Sequence, residues 1–321
     1  MKRAGAWIPL GLLAALPPLF WSGNFVLARA LHEDMPPIAL SFWRWVGALA
    51  ILLPFTWHRL WQHRAALRSH WVVLGLLALL GITNFNTFAY LGLQHTTATN
   101  GVLLSSATPV LIVGVSFLLL GTRIRLRQLG GIALSLFGVV LIATEGAPQR
   151  LGALTLNRGD IWILVAAVDW ALYSVLLRWR PAELAPEVFL TALIALGLVP
   201  LAGLYAWELA SGQGFVLNAT NFAAIGYVAL FPSVLAYLFW DRAVNGLGPN
   251  RTGHYLHLMP AFGAVLAVTL LGERLHGFHL VGALLIAGGI VLATWAVSSP
   301  PTRRARSHSG RGTGSAGRRG T

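Results

Sequence analysis

The sequence predicts an all-α integral membrane protein, with ten transmembrane helices in two inverted five-helix repeats. Three observations carry that expectation. The 321-residue chain is 56% hydrophobic and only 10% charged, where a soluble domain carries about 25% charged residues. Ten apolar runs are long enough to cross a hydrocarbon core of ~30 Å, which takes about 20 residues per helix. Punctuating residues of the first half recur in the second at a nearly constant offset.

The runs fall at about 7–28, 37–57, 71–91, 99–121, 128–144, 160–179, 187–207, 220–240, 252–271 and 277–297. Lys2 and Arg3 precede the first, and Ala28-Arg29-Ala30 resembles a signal cleavage site. The run is nevertheless too long for a secretory signal, and Pro17, Pro18 and Asn24 interrupt it as they would a transport helix. The second, "SFWRWVGALAILLPF", carries Arg44 between Trp43 and Trp45. The third holds Asn84, Asn86 and Tyr90, and the fourth contains Pro109 and ends at Gly121. Gly131 and Gly138 lie in the fifth, and Asp169, Trp170 and Tyr173 in the sixth. The seventh begins at Glu187, the eighth holds Tyr237 and Trp240, and the ninth contains "HYLHLMP" with His254, His257 and Pro260. The tenth carries "GALLIAGG" at 282–289, small residues that permit close helix approach within the protein or at a homodimer face.

The repeat is read from shared punctuation. "FLLLGTR" at 117–123 matches "VTLLGER" at 268–274, an offset of 151, which Pro109 and Pro260, Gly131 and Gly282, and Gly138 and Gly289 also share. "AYL" recurs at an offset of 147 and Trp21 matches Trp170 at 149. Five spans per half is an odd number, so the second half must enter the membrane inverted. The organisation expected is a first repeat over 1–144, a connecting loop over 145–159, a second repeat over 160–298 and a disordered basic tail over 299–321.

The formal net charge of +13 suggests nucleic acid until the charges are located. With the N-terminus inside, the inner elements hold eighteen Lys and Arg, six of them in the tail, and the outer elements only Arg29, Arg150, Arg158 and Arg274. That asymmetry places both termini in the cytoplasm and points to a lipid bilayer, not DNA, as the macromolecular environment. Trp57, Trp61, Trp71, Trp162 and Trp207 fall near span ends, where indoles settle at the interface. Cysteine is absent, which excludes disulfides and thiolate chemistry.

"SFWRWVGALAILLP", "FAYLGLQHTTATNGVLLSSATPVLIVGVSFLLLG" and "YLFWDRAVNGLGPNRTGHYLHLMPAFGAVLAVTLLGERL" together resemble the EamA-like family of the drug/metabolite transporter superfamily, over residues 7 to 297. The resemblance implies two inverted five-helix repeats and export or exchange of small metabolites such as amino acids across the cytoplasmic membrane. It also implies Gly-Glu-Arg at the end of the fourth helix of each half. The second half has Gly272-Glu273-Arg274, whereas the first has Gly121-Thr122-Arg123, so no role for that acid carries over to the first half.

Two charged residues lie deep in a span, Arg44 and Asp169. A charge at that depth costs about 2.5–3.5 kcal/mol on insertion scales, so a partner or a function is required. From the helical rise of about 1.5 Å per residue, their depths are similar. We therefore expect them to share one polar cavity, either as a packing salt bridge or with Arg44 attracting a substrate carboxylate or acting in a gate. Asp169 could also couple transport to protons. Asp160, Arg178 and Glu187 lie at span ends, where they can snorkel. Asn24, Asn84, Asn86, Tyr90, Gln94, Asn100, Tyr173 and Tyr237 are uncharged candidates for the route. Trp43, Trp45, Trp170 and Trp240 are candidates for an aromatic wall or for lipid contact. His254 and His257, at i and i+3, share a helix face and suit helix-to-helix hydrogen bonds, a proton relay or half a metal site. No metal or cofactor is expected.

Pro109 and Pro260 sit at matching positions, where a missing backbone bond permits bending. They are candidate hinges for alternating access, or static kinks. Hydrolase signatures such as Gly-x-Ser-x-Gly and His-Glu-x-x-His are missing, which disfavours an intramembrane enzyme. A receptor or scaffold remains the alternative to a transporter with a small-molecule substrate.

Overall fold

The computed structural model describes residues 9–121, 126–147, 149, 157–247 and 254–294. Among them there are helices and turns but no strand. In chain order the helices are α1 (Leu10–Ala30), α2 (Pro37–Gln62), α3 (Trp71–Leu93), α4 (Ala98–Leu120), α5 (Leu126–Ala143), α6 (Arg158–Trp179), α7 (Pro186–Ala210), α8 (Ala219–Leu247), α9 (Leu258–Leu271) and α10 (Gly277–Thr294). A short helical segment, Arg64–Ser69, links α2 to α3. Eight of these, α1 to α8, are long and apolar enough to cross a membrane, and α9 and α10 contribute shorter apolar stretches. The tail and most of the loop expected at 145–159 lie outside the described residues.

Helix ends follow local chemistry. Pro36-Pro37 and Pro186 open α2 and α7, where proline's missing N–H matches a donor that a helix start leaves unpaired. Thr97 and Asn218 accept the amides of Asn100 and Asn221 and so cap α4 and α8, as Ser, Thr and Asn do at N-termini. Gly121, at φ 62°, ends α4 in the left-handed conformation that glycine adopts without a Cβ penalty.

Two helices change pitch in equivalent places. Leu79–Asn84 in α3 and Ala229–Leu235 in α8 are π-helical. Two others break at the paired prolines. α4 is interrupted after Ser105, with Pro109 in the first turn of its second segment, Thr108–Leu120. Pro260 lies in the first turn of α9, which follows a 3₁₀ turn over His254–His257. Both prolines therefore sit at helix starts and not in mid-helix as expected, so neither removes a bond from a continuous helix.

Packing follows the repeat. α1 lies against α8 and α9, and α6, its counterpart, lies against α3 and α4. α2 packs on α7, and α5 on α10. In the last pair the glycines cross over. A Cβ on Gly138 would meet the carbonyl oxygen of Gly282 at 2.7 Å, and one on Gly289 would meet that of Gly131 at 2.5 Å. Each half presents the same two positions to the other, as in an isologous contact. Gly282 and Gly289 are therefore occupied inside the bundle. The outer surface is apolar, with Phe55, Leu118, Phe137 and Val199 exposed, as a lipid-facing surface requires.

Candidate functional site

A cavity of about 360 Å³ lies where the halves meet, within the range of about 300–1,000 Å³ of ligand pockets. Equivalent residues of both halves line it: Trp21 with Trp170, and Pro109 with Pro260. Phe25, Phe85, Tyr237, Met259 and a face of α10 including Leu280, Ala283 and Leu284 complete a largely apolar wall. Asn24, Arg44, Asn86, Ser105, Ser106 and Thr108 supply its polar part.

Arg44 is buried. Its Nε donates to Ser233 Oγ at 2.6 Å. Its Nη1 lies 2.7 Å from Asn86 Oδ1, 2.8 Å from Tyr90 Oη and 3.1 Å from Asn24 Oδ1. The guanidinium carbon is 4.9 Å from the Trp45 ring centre, a cation–π distance. The π-helical stretch of α8 helps to build this shell. Ser233 reaches back to the carbonyl of Val228, and the Pro232 carbonyl accepts from Trp21 Nε1 at 3.1 Å and from Arg44 Nη2 at 3.4 Å. Such π-bulges occur often at functional sites.

The shell is neutral, and Arg44 still has donors to give. Nη2 carries two N–H bonds and has one long acceptor, while Asn86 Nδ2 is buried with no partner among the described residues. Both residues line the cavity. Chemically, the arrangement offers one positive charge without a carboxylate partner, and spare donor capacity on two side chains in contact, under an aromatic wall.

The expected Arg44–Asp169 pair is not formed. Arg59 pairs with Glu187 and His32 lies 3.7 Å from Glu33, while the acceptors named around Arg44 are neutral. Asp169 is buried outside the cavity lining, accepts from Asn84 and leaves Oδ2 without a partner. Similar depth did not bring the two charges together, because they face different neighbours around their helix axes. Trp43 is also corrected. It points away from the cavity and donates to Tyr205 Oη at 3.2 Å on the outer side. Tyr173 packs against Gly81 at the π-helical stretch of α3, and Tyr90 stands behind the cavity, on Arg44. The side chains of His254 and His257 lie outside the described residues.

Asn100 belongs elsewhere, and Asp160 does not snorkel. Both are buried in a second polar cluster at the end of the bundle where α4 and α6 begin. Asp160 accepts from Thr96 at 2.5 Å and from the Asn100 amide at 3.4 Å. Asn100 Oδ1 lies 3.0 Å from His279 Nε2, and His279 Nδ1 accepts the His276 amide at 3.0 Å. At the same end, Glu273 accepts the amides of Ala98 and Thr99 and the Thr99 hydroxyl. Glu208, buried at the end of α7, accepts the amides of Ile38 and Ala39. Each carboxylate meets a helix N-terminus, where unpaired amides and the helix dipole favour negative charge. This supplies a reason for Glu273. Its counterpart, Thr122, lies outside the described residues. Sequence reasoning missed Ser233, Glu208 and His279. The only trace of the first was Pro232 within a span, and the other two read as single polar residues in apolar runs.

Among the described residues no three His, Asp or Glu side chains converge as metal ligands would.

Known proteins agree with this architecture. A crystal structure sharing 21% identity superposes with a TM-score of 0.59, covering 90% of this chain and 98% of its own, a likeness of fold. A protein of Archaeoglobus fulgidus described as an uncharacterized transporter is 30% identical over 288 residues, 88% of this chain and 96% of its own. YyaM, an uncharacterized transporter of Bacillus subtilis, is 27% identical over 284 residues, 88% of this chain and 92% of its own. A probable amino-acid metabolite efflux pump of Escherichia coli is 24% identical over 296 residues, 88% of this chain and 93% of its own. The profile of the EamA-like transporter family matches residues 8–144 and 157–295, which is nearly all of the helical bundle, half by half. This multi-pass membrane protein belongs to the EamA-like transporter family.

Proposed function

We propose that the chain is a secondary transporter that exports or exchanges small metabolites, amino acids or related compounds, across the cytoplasmic membrane by alternating access. In this reading all ten helices cross the bilayer as two inverted repeats, with both termini cytoplasmic. Secondary transporters of this build place the site near midplane, at the interface of the repeats. The observation that carries the proposal is Arg44: a buried cation without a carboxylate partner, lining a cavity to which both halves contribute matching residues. A charge held at that depth marks a substrate route more often than a packing device. The relative described as an amino-acid metabolite efflux pump supports the cargo class.

Arg44 receives the anionic group of the cargo, and Asn86 and Tyr90 hold its guanidinium in place. Trp170 and Tyr237 face the body of the cargo. The breaks at Pro109 and Pro260 are the hinges, because the helical segments beyond them can swing without breaking backbone bonds. Asp169, buried with an unfilled oxygen, is the group we assign to proton coupling.

The test is the extracellular metabolite profile of cells carrying wild type, Arg44→Ala, Asp169→Asn or empty vector, at matched membrane abundance. A metabolite enriched by wild type and lost in Arg44→Ala supports the reading. Enrichment that survives in Arg44→Ala removes Arg44 from the route. Export by Asp169→Asn that still follows an imposed pH gradient removes the coupling assignment.

A further inference from the structure

We infer that the cargo is a small organic monoanion, a carboxylate on an apolar or aromatic body, in preference to a zwitterion or a cation. The inference rests on the transporter reading above but shifts its cargo, from the zwitterionic amino acids to related compounds that lack the ammonium group. Charge comes first. Among the described residues lining the cavity Arg44 is charged and no Asp or Glu is present. The atoms around the guanidinium are hydroxyl, amide and carbonyl oxygens, so its charge is dispersed but not cancelled. Asp169, the other deep charge, is not in the lining. A buried cation in so apolar a setting attracts one negative charge, and a second charge on the cargo would need a partner of its own.

Geometry supplies the recognition. Arg44 Nη1 and Asn86 Oδ1 are joined at 2.7 Å, so the two side chains meet, with Nη2 holding one long acceptor at 3.4 Å and Asn86 Nδ2 none among the described residues. Two neighbouring donors match the two oxygens of a carboxylate, and a charge-assisted pair of this kind is the strong form of hydrogen bond. A cargo ammonium has no such reception. Ser106 and Thr108 give their hydroxyl protons to backbone carbonyls and offer only neutral lone pairs, while Arg44 repels the ammonium. Those lone pairs suit a hydroxyl or ring N–H at the far end of an anion. Trp21, Phe25, Phe85, Trp170 and Tyr237 face its apolar body.

The inference is tested by direct binding to the purified full-length protein in lipid nanodiscs, measured by calorimetry. Isocaproate, hydrocinnamate and indolepropionate are each compared with the amino acid of the same skeleton: leucine, phenylalanine and tryptophan. Phenethylamine serves as the cation. At least one anion is expected to bind tenfold or more tighter than its amino acid, with no measurable binding of the amine. Asn86→Asp, which places a carboxylate on Arg44 and so keeps a partner for it, is expected to weaken anion binding at least tenfold with the thermal melting temperature retained. Equal or tighter binding of the amino acids overturns the inference and leaves the transporter reading standing. So does binding of none of the anions, or anion binding unchanged in Asn86→Asp. An anion that binds as expected but is not carried across proteoliposome membranes confirms the site chemistry and overturns the transporter reading instead.

Discussion

The protein buries two polar regions, and they are finished differently. At the bundle end, Thr96, Asp160, Asn100, His279 and the His276 amide form a chain in which each donor named meets an acceptor. None of these residues lines the cavity. At the centre, the shell around Arg44 is made of neutral acceptors, and donors are left over on Arg44 and Asn86. A closed hydrogen-bond chain fixes helices relative to one another. An open one in a low-dielectric site is costly unless something fills it. The difference teaches that burial of polar groups does not by itself mark function; unfilled capacity facing a cavity does.

The largest effect is expected where that capacity is removed. Arg44→Met should reduce export about a hundredfold, since bonds to a charged group contribute about 1.5–3 kcal/mol each and more than one is lost. Export rates in proteoliposomes at equal protein loading measure this, and a loss of less than about threefold would erase the distinction between the two regions. Next comes the closed cluster. Asp160→Ala strands the Thr96 hydroxyl and the Asn100 amide and should lower stability by about 2–3 kcal/mol, the cost of buried groups left unpaired. Thermal unfolding in detergent reads that loss, while cargo affinity at low temperature should stay within about threefold of wild type. A large loss of affinity at retained fold would bring the bundle end into the transport route.

How much of this was legible in sequence depends on the kind of coordinate each feature needs. Helix positions were readable because apolar length is one-dimensional, and the observed bounds lie within a few residues of the expected ones except at the extended ends of α2 and α8 and at the start of α9, which a 3₁₀ turn precedes. The Gly131, Gly138, Gly282 and Gly289 offsets were readable for the same reason, and the structure turns them into crossed contacts. Arg44 was conspicuous as a charge in an apolar run. Its partners were not readable. Depth follows from counting residues along a helix, but the direction a side chain faces depends on how each helix is rotated against its neighbours. Asp169 at similar depth therefore seemed a partner. Trp43, a candidate for the aromatic wall or for lipid contact, falls on the outer side because it sits about 100° around the helix from Arg44, given 3.6 residues per turn. Asn100 joined the wrong cluster because its partners, Asp160 and His279, are 60 and 179 residues away. The π-helical stretches left no pattern in α3 and only Pro232 in α8.

A smaller effect is expected at Glu273, and it sharpens the comparison because this acid is the one the two halves do not share. Its carboxylate accepts the first amides of α4 at 2.7 and 2.9 Å, so it acts as a capping residue contributed from after α9. Glu273→Gln keeps the size and one acceptor oxygen but removes the charge that favours the positive helix end. The expected cost is about 1 kcal/mol, seen as a small drop in unfolding temperature with export unchanged. Thr122, at the matching position of the first half, marks where the chain dispenses with the second acid. If Glu273 serves as a cap alone, restoring the acid with Thr122→Glu leaves export unchanged in both the wild-type and the Glu273→Gln background. Export that falls with Glu273→Gln and recovers with Thr122→Glu would instead make the acid part of the transport cycle.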